Sequence, residues 1–201
     1  MAEQAANALT DARTAAAARF AKAVREQLTF LDMPNVTLTI RREPIALGAT
    51  GADRMEFLLS ANAGEQPKPL SRVASGGELS RIMLAIKSVL ADADEVDTLI
   101  FDEIDTGISG RAALKVGARL RQTAQSRDRR QVLCVTHLAQ IAAQATDHFL
   151  IEKSVRDGRT FTDVTRLADD HRVRELARII GGEVTPAAVQ AAREMLGGAA
   201  T

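Results

Sequence analysis

Three short segments decide the fold of this chain: Ala74-Ser75-Gly76-Gly77-Glu78-Leu79-Ser80-Arg81, Thr98-Leu99-Ile100-Phe101-Asp102-Glu103 and Val132-Leu133-Cys134-Val135-Thr136-His137. The first is a glycine-paired turn that opens onto an apolar helix. The second and third are short apolar runs, typical of strands buried on both faces, and each ends in polar side chains. Strands that alternate with helices favour a parallel α/β core, because parallel strands need a crossover between them.

The flanking regions predict further elements. Residues 2–31 are rich in alanine, the strongest helix former, and indicate one long helix. Its narrow apolar stripe fits either a coiled-coil partner or a simple surface helix. Strands are predicted at residues 36–40 and 54–60, joined by a loop across Pro44 and Gly48. The last third predicts a short helix at 138–144, a hairpin over 148–167 and two closing helices, 172–180 and 186–196.

Composition limits the classes of protein. The chain has 201 residues, 46% hydrophobic and 26% charged, as in ordinary soluble domains. Its formal net charge is +0, which gives no general attraction to nucleic acid or anionic membranes. We therefore interpret Arg41-Arg42 and residues 127–130 as solvated surface. No apolar run approaches the length of a membrane span, so a cytosolic protein is expected.

The one cysteine, Cys134, excludes an internal disulfide and fits a reducing compartment. Since it lies in an apolar strand, a small core residue is expected rather than a reactive thiol.

Asp102 and Glu103 follow the second segment directly. Hydrolysis of a nucleoside triphosphate needs Mg²⁺ near the phosphates and a water aligned with the γ-phosphate. One carboxylate could bind the metal through water, and its neighbour could orient the water. An isolated Asp-Glu pair is more often simply a solvated strand end. His137 could contact a γ-phosphate, although a lone histidine at a strand end is more often structural.

Ser75, Gly76 and Gly77 lie where a helix begins, so their N–H groups could hold a phosphate. A capping box between Ser75 and Glu78 explains the same residues without a ligand, and both interpretations are compatible. None of the 13 glycines is followed by lysine, so the chain contains no P-loop. We therefore expect little ATP binding or hydrolysis by this chain alone.

These motifs resemble those of a known family. Residues 74–81 resemble the signature motif of ABC-type ATPases, residues 98–103 resemble their Walker B strand, and His137 stands at the switch histidine. The Ser-Gly-Gly-Glu-Leu-Ser-Arg wording is similar to the SMC-like branch. More narrowly, most of residues 30–196 resemble the RecN family of bacterial DNA repair proteins. The resemblance is carried by segments 51–62, 74–85, 102–110 and 135–142.

The resemblance implies an α/β fold, the C-terminal lobe of an ABC/SMC-type ATPase head. A parallel-strand core flanked by helices would follow a helix from the coiled coil and a small antiparallel β pair. Residues 1–32 would end the coiled-coil helix. Residues 33–196 would form the C-terminal half of the head, with signature, Walker B and switch histidine, and residues 197–201 a disordered tail.

In this family, two heads enclose two ATP molecules. The resemblance implies nucleotide binding, in trans, by the signature residues Ser75, Gly76, Gly77 and Glu78. It also implies that Glu103 and His137 are catalytic and that Asp102 serves Mg²⁺ binding. SMC-type chains usually carry an aspartate where Ser109 stands, so the role of residues 105–110 stays open.

The implied partners are the chain's own N-terminal P-loop half, a second head in an ATP-dependent homodimer, and DNA in the intact protein, with no membrane. The implied function is double-strand break repair and recombination in the bacterial cytoplasm, in association with the nucleoid. A transporter-type nucleotide-binding fragment and a non-catalytic interaction module are the alternatives. A membrane-domain partner would favour the former, and the absence of nucleotide-dependent association would favour the latter.

Overall fold

The computed structural model divides the chain into two units, one formed mainly by residues 1–97 and the other mainly by 98–125 and 130–201. The described residues are 1–62, 64–72, 76–91, 93, 95–126, 130–156 and 158–199. The α/β class predicted from the sequence is confirmed, because helices accompany both parallel and antiparallel strand pairs.

Helix α1, Ala2–Phe30, begins the first unit and matches the helix predicted from its alanine content. Val24 and Leu28 on one side are fully buried. The helix ends in a Schellman arrangement, in which the N–H of Met33 donates to the carbonyl of Leu28 at 2.9 Å and Asp32 is left-handed, with φ at 60°. Through its buried side, α1 packs on the sheet and the second helix of this unit.

A three-stranded antiparallel sheet follows, with strands β1 (Thr37–Gly48), β2 (Gly51–Ser60) and β3 (Lys68–Pro69) in that order. The predicted loop across Pro44 and Gly48 is wrong, because β1 continues through both residues to a two-residue turn. A proline is tolerated here because β1 is an edge strand and its register with β2 shifts between Pro44 and Gly48.

Cross-strand ion pairs cover the surface of the hairpin. Arg41 pairs with Glu56, and Arg54 with Glu43 at 2.6 Å, in each case directly opposite in the strand register. Such exposed pairs contribute little to stability. The arginines of β1 thus lie at a solvated surface, as predicted for Arg41-Arg42.

Helix α2, Gly76–Val89, packs against α1. The predicted helix is confirmed, and of its predicted apolar positions Ile82 and Ile86 are buried. The other predicted positions, Leu79, Met83, Val89 and Leu90, are half-buried, and Leu84 and Ala85 complete the buried face. The core of this unit therefore lies between α1, α2 and the sheet.

We expect Leu28→Ala to destabilise the first unit by about 2–5 kcal/mol, because it removes a fully buried side chain and leaves a cavity. Urea unfolding followed by circular dichroism measures the change. Glu26→Ala, an exposed change on the same helix, serves as the control and should stay within about 0.5 kcal/mol of wild type. Equal effects of the two substitutions would contradict this packing.

A buried ion pair joins α1 to the hairpin. The Asp53 side chain on β2 is only 1% exposed, and the Arg13 guanidinium contacts its carboxylate. The same Arg13 Nη1 lies 3.4 Å from the Asp53 carbonyl oxygen. Burial by itself raises the pKa of the Asp53 carboxyl. Hydrogen bonds from Arg13 and Thr10, together with the charges of Arg13 and Arg42, lower the pKa by more than burial raises it. The pKa of Asp53 therefore lies below its ordinary value.

This depressed pKa predicts a stability that depends on pH. The contribution of Asp53 is complete above its unfolded-state pKa of 3.8 and disappears as the pH falls through the lower folded-state pKa. Asp53→Asn should therefore be less stable at pH 7 and lose less stability between about pH 5 and pH 2.5 than wild type. Urea unfolding at each pH measures this, with the exposed Asp11→Asn as control. An unchanged acid limb in Asp53→Asn would refute the assignment.

The second unit is built on a parallel strand pair, β4 (Thr98–Phe101) and β5 (Gln131–Cys134), connected through helix α3 (Gly110–Gln125). The parallel core predicted from the sequence is therefore confirmed. The prediction that these strands are buried on both faces is wrong for β4, because Leu99 and Phe101 are buried but Ile100 between them is 70% exposed. Within the described residues, the pair has one covered face and one open face.

The short helix α4, Ala139–Ala142, lies against α3. A glycine permits this approach, since a Cβ at Gly117 would stand 3.2 Å from both the Gln140 carbonyl oxygen and the Ile141 Cα. The contact therefore requires the absence of a side chain at residue 117.

The chain closes with the hairpin β6 (Phe149–Arg156) and β7 (Arg159–Arg166), and with helices α5 (Asp169–Gly181) and α6 (Pro186–Ala199). These elements agree with the predicted order. A core of small side chains joins α4, α5 and α6, and it consists of Ala139, Ala142, Ala143, Leu176, Ala177, Ala188 and Ala192.

Candidate active site

The parallel register brings two of the three diagnostic segments to one edge. Phe101 pairs with Cys134, and the N–H of Val135 donates to the Phe101 carbonyl at 3.0 Å. Asp102, which follows β4, and Val135 and Thr136, which follow β5, therefore leave the sheet side by side. The predicted carboxylates and His137 share the carboxyl end of this strand pair.

Asp102 and Glu103 are both exposed at this edge. The Glu103 N–H donates to Asp102 Oδ1 at 2.9 Å, and the Glu103 carbonyl accepts from the N–H of Thr106 at 3.1 Å. Glu103 is left-handed, with φ at 55°. A non-glycine residue in this region costs about 1–3 kcal/mol, a strain that often occurs at functional sites. The loop thus holds the second carboxylate in an unusual backbone conformation.

Asp105 is a site residue that the sequence did not assign. Its side chain is 3% exposed, and its Oδ2 accepts from Thr136 Oγ1 at 2.6 Å and from the backbone N–H of His137 at 2.8 Å. The His137 Nδ1 also lies 3.0 Å from that oxygen. The signal in the sequence was a third carboxylate in Asp102-Glu-Ile-Asp105, but nothing in the sequence named its partner.

His137 itself is exposed, with 74% of its side chain open to solvent. Thr136 Oγ1 accepts from the N–H of Leu138 at 3.1 Å, which fixes the turn into α4. The Nδ1 side of the imidazole faces Asp105. On the other side, Nε2 has no hydrogen-bond partner within the described residues.

The Cys134 thiol is half-buried on the covered face of the strand pair. Burial, and to a lesser extent the negative charges of Asp105 and Asp102, raise the pKa of the thiol to about 12. The thiolate is the reactive form, so a weakly reactive thiol follows, in line with the core role predicted from the sequence.

We expect Cys134 in the folded chain to react with iodoacetamide at pH 8 at least about tenfold more slowly than in the urea-unfolded chain, because its thiolate fraction is far smaller. Mass spectrometry of the time course measures the rate. A model cysteine peptide with and without urea corrects for the solvent. Equal rates in the folded and unfolded chains would contradict the raised pKa.

The signature residues lie in the first unit. Ser75 falls outside the described residues, so its predicted capping and phosphate roles stay predictions. Gly76, Gly77 and Glu78 form the first turn of α2, with Gly77 buried and the other two exposed. These residues thus lie at the N-terminal turn of a 14-residue helix, where the motif predicts an anion contact.

No group of three or more His, Cys, Asp or Glu side chains with metal-binding proximity occurs among the described residues. Mg²⁺ needs no such cluster, because it keeps several waters and uses one or two carboxylates together with phosphate oxygens. Asp102, an exposed carboxylate at a strand end, fits this requirement.

Solved structures identify the fold. The chain is similar to the Smc head domain with a coiled coil and joint from Pyrococcus yayanosii, at 22% identity and a TM-score of 0.54 over 94% of this chain and 30% of that one. It is also similar to the Smc head domain with an extended coiled coil from Pyrococcus furiosus, at 22% identity and a TM-score of 0.51 over 78% of this chain and 36% of that one. The chain therefore has the fold of part of an Smc head domain.

Curated relatives give the narrower relationship. The chain is 45% identical over 194 residues to DNA repair protein RecN from Haemophilus influenzae, covering 95% of this chain and 34% of the relative. It is 46% identical over 158 residues to RecN from Bacillus subtilis, covering 78% and 27%. The chain is thus RecN-like in sequence, and the resemblance inferred from its motifs is confirmed. It spans about a third of the length of these relatives. No family model matches the chain.

Two alternatives can be compared with these findings. The relatives carry the name of a DNA repair protein, which favours the SMC-like interpretation over the transporter-type one. Within the described residues, no helix has both the length and the apolar character needed to cross a membrane.

Proposed function

We propose that this chain is the signature-bearing, C-terminal portion of the ATPase head of a RecN-like protein, and that it completes a composite ATP site. The relatives that match it along most of its length are DNA repair proteins, and its fold is that of SMC heads. The function would be ATP hydrolysis by paired heads in the repair of DNA double-strand breaks and in recombination.

The observation that carries this proposal is the open face of the β4–β5 pair. Ile100 and Leu133 are register partners on that face, 70% and 43% exposed, and Val135 beyond them is 53% exposed. Parallel sheets occur almost only with both faces covered by other elements. The open face therefore supports a further segment as its cover, and the P-loop half of the head is the occupant that we propose.

A second apolar surface supports the same occupant. Ile151 and Val164 lie opposite each other on one face of the β6–β7 hairpin, 56% and 63% exposed. Phe149 and Val155, at the same alternation on β6, are 52% and 74% exposed. Lys153 and Thr162 separate Val155 from the other three side chains on this face. The grouping of exposed apolar side chains at Phe149, Ile151 and Val164 supports an interaction site there.

The residues at the carboxyl end of β4 and β5 would supply the chemistry. Asp102 would bind Mg²⁺ through water, and the ion would neutralise charge on the phosphates. Glu103 would orient and deprotonate the attacking water, and the exposed Nε2 of His137 would contact the γ-phosphate. The P-loop that holds the phosphates would come from the other half.

The signature turn would act on a second head. Ser75, Gly76 and Gly77 would present N–H groups at the start of α2 to the γ-phosphate held by that head's P-loop, with Glu78 supporting the turn. ATP would thus join two heads, and hydrolysis would release them. Residues 1–32 would enter from the coiled coil, residues 33–196 would form the head lobe, and residues 197–201 would be its tail.

We further propose that the intact protein binds DNA and works in the bacterial cytoplasm at the nucleoid. The name of the relatives supports a DNA substrate. A non-catalytic interaction module is the competing proposal, and it requires the same apolar surfaces but no turnover.

The test combines this chain with a P-loop half, as separate polypeptides or in one intact protein. We expect ATP hydrolysis, and a complex whose mass doubles with ATP in light scattering. Glu103→Gln should lower turnover by about 10²–10⁴-fold, because it removes the general base, while the ATP-bound dimer persists.

Glu183→Gln, an exposed change in the loop after α5, is the control and should keep wild-type turnover. Unchanged turnover in Glu103→Gln would reject Glu103 as the catalytic carboxylate. Association without any dependence on nucleotide would favour the interaction module.

A further inference from the structure

The loops after β4 and β5 share one buried carboxylate, and its position suggests a role for residues 105–110. Asp105 lies two residues beyond Glu103, and its contacts, Thr136 and His137, follow the neighbouring strand. From these contacts, we propose that Asp105 is a positioning residue that locks the Glu103 loop and His137 into one arrangement for hydrolysis. This inference rests on the proposed function.

Burial makes the contacts of Asp105 obligatory. A carboxylate that is 3% exposed is costly unless hydrogen-bond donors surround it. The groups that face its Oδ2 are the Thr136 hydroxyl, the His137 backbone N–H and the His137 Nδ1, and all three come from the loop after β5. Any movement of one loop without the other would leave the carboxylate buried without donors.

The same oxygen sets the imidazole. His137 Nδ1 lies 3.0 Å from Asp105 Oδ2, so a neutral ring with its proton on Nδ1 can donate to the carboxylate. In this neutral form Nε2 carries a lone pair, which cannot donate to a phosphate oxygen. The proposed contact with the γ-phosphate therefore uses a ring that carries a proton on Nε2 as well, and Nδ1–H keeps its contact with the carboxylate in both forms. In the absence of Asp105, the ring would be free to rotate and to adopt the other tautomer.

The carboxylate also restrains Glu103. That residue is left-handed, with φ at 55°, between the exposed Asp102 and the fully buried Ile104. A strained conformation persists only where its surroundings fix it. Ile104 and Asp105 supply that anchor on the C-terminal side, so loss of the Asp105 contacts should let Glu103 relax.

Two measurements test the proposal. In the assembled head, Asp105→Asn should lower kcat by about 10–100-fold, the usual effect of removing a group that orients a functional histidine, while KM for ATP changes by less than about threefold. The loss should be much smaller when His137 is already alanine, because the two residues act together. Asp170→Asn, an exposed aspartate on α5, is the matched control.

The second measurement uses this chain alone and needs no turnover. Two-bond ¹H–¹⁵N spectra of the His137 ring at about pH 8.5, where imidazole is neutral, should show the Nδ1–H tautomer in wild type and a shift towards Nε2–H in Asp105→Asn. Asn keeps the shape of the side chain, so the comparison does not require a folding-sensitive alanine variant.

The outcomes separate the two proposals. An assembled wild type that hydrolyses no ATP would refute the proposed function, and the spectra would still decide whether Asp105 sets the ring. Full independence of the Asp105→Asn and His137→Ala effects on kcat, or an identical ring tautomer with and without Asp105, would overturn the positioning role.

Discussion

The parallel register between β4 and β5 is the constraint on which the candidate site depends. Because Phe101 is paired with Cys134, the chain segments that follow must leave the sheet together. Asp102, Glu103 and His137 thereby share an edge, although His137 lies more than thirty residues after the two carboxylates in the chain. The register of β4 and β5 therefore brings these residues close together, and the loops after the strands set only the orientation of each side chain.

The open face of this parallel pair is also the main support for the partner that we propose for the second unit. One apolar face of the two parallel strands is open within the described residues, and the β6–β7 hairpin also has exposed apolar side chains on one face. Exposed apolar area of this kind is unfavourable in water and becomes favourable on burial. These exposed surfaces lie in the same unit as the candidate carboxylates, which is why we propose the P-loop half of the head as their cover.

The two units use buried charge in a similar way. In the first, Asp53 ties the hairpin to α1 through Arg13, and in the second, Asp105 ties two loops together through Thr136 and His137. A buried carboxylate tolerates few alternative arrangements, because each alternative leaves it without donors. Such a group therefore favours one geometry. Asp53 fixes how α1 packs on the hairpin, and Asp105 fixes how the loops after β4 and β5 contact each other.

Much of the fold was accessible from the sequence. Alanine content and apolar periodicity predicted α1 and α2, and the two apolar runs predicted the parallel pair, because these are local signals. The motifs also singled out Asp102, Glu103 and His137. The extension of β1 through Pro44 was missed, because tolerance of proline depends on the strand lying at an edge, which is a property of the sheet.

The sequence by itself determined which residues could carry the chemistry, since their identity and order define the motifs. Only the tertiary structure decided that Ile100 lies on an open face, that Glu103 is left-handed and that Asp105 is bound to the loop after β5. Each of these depends on which atoms meet across distant segments. Local propensities do not predict such long-range contacts, because the contacts arise from burial and from the register between strands.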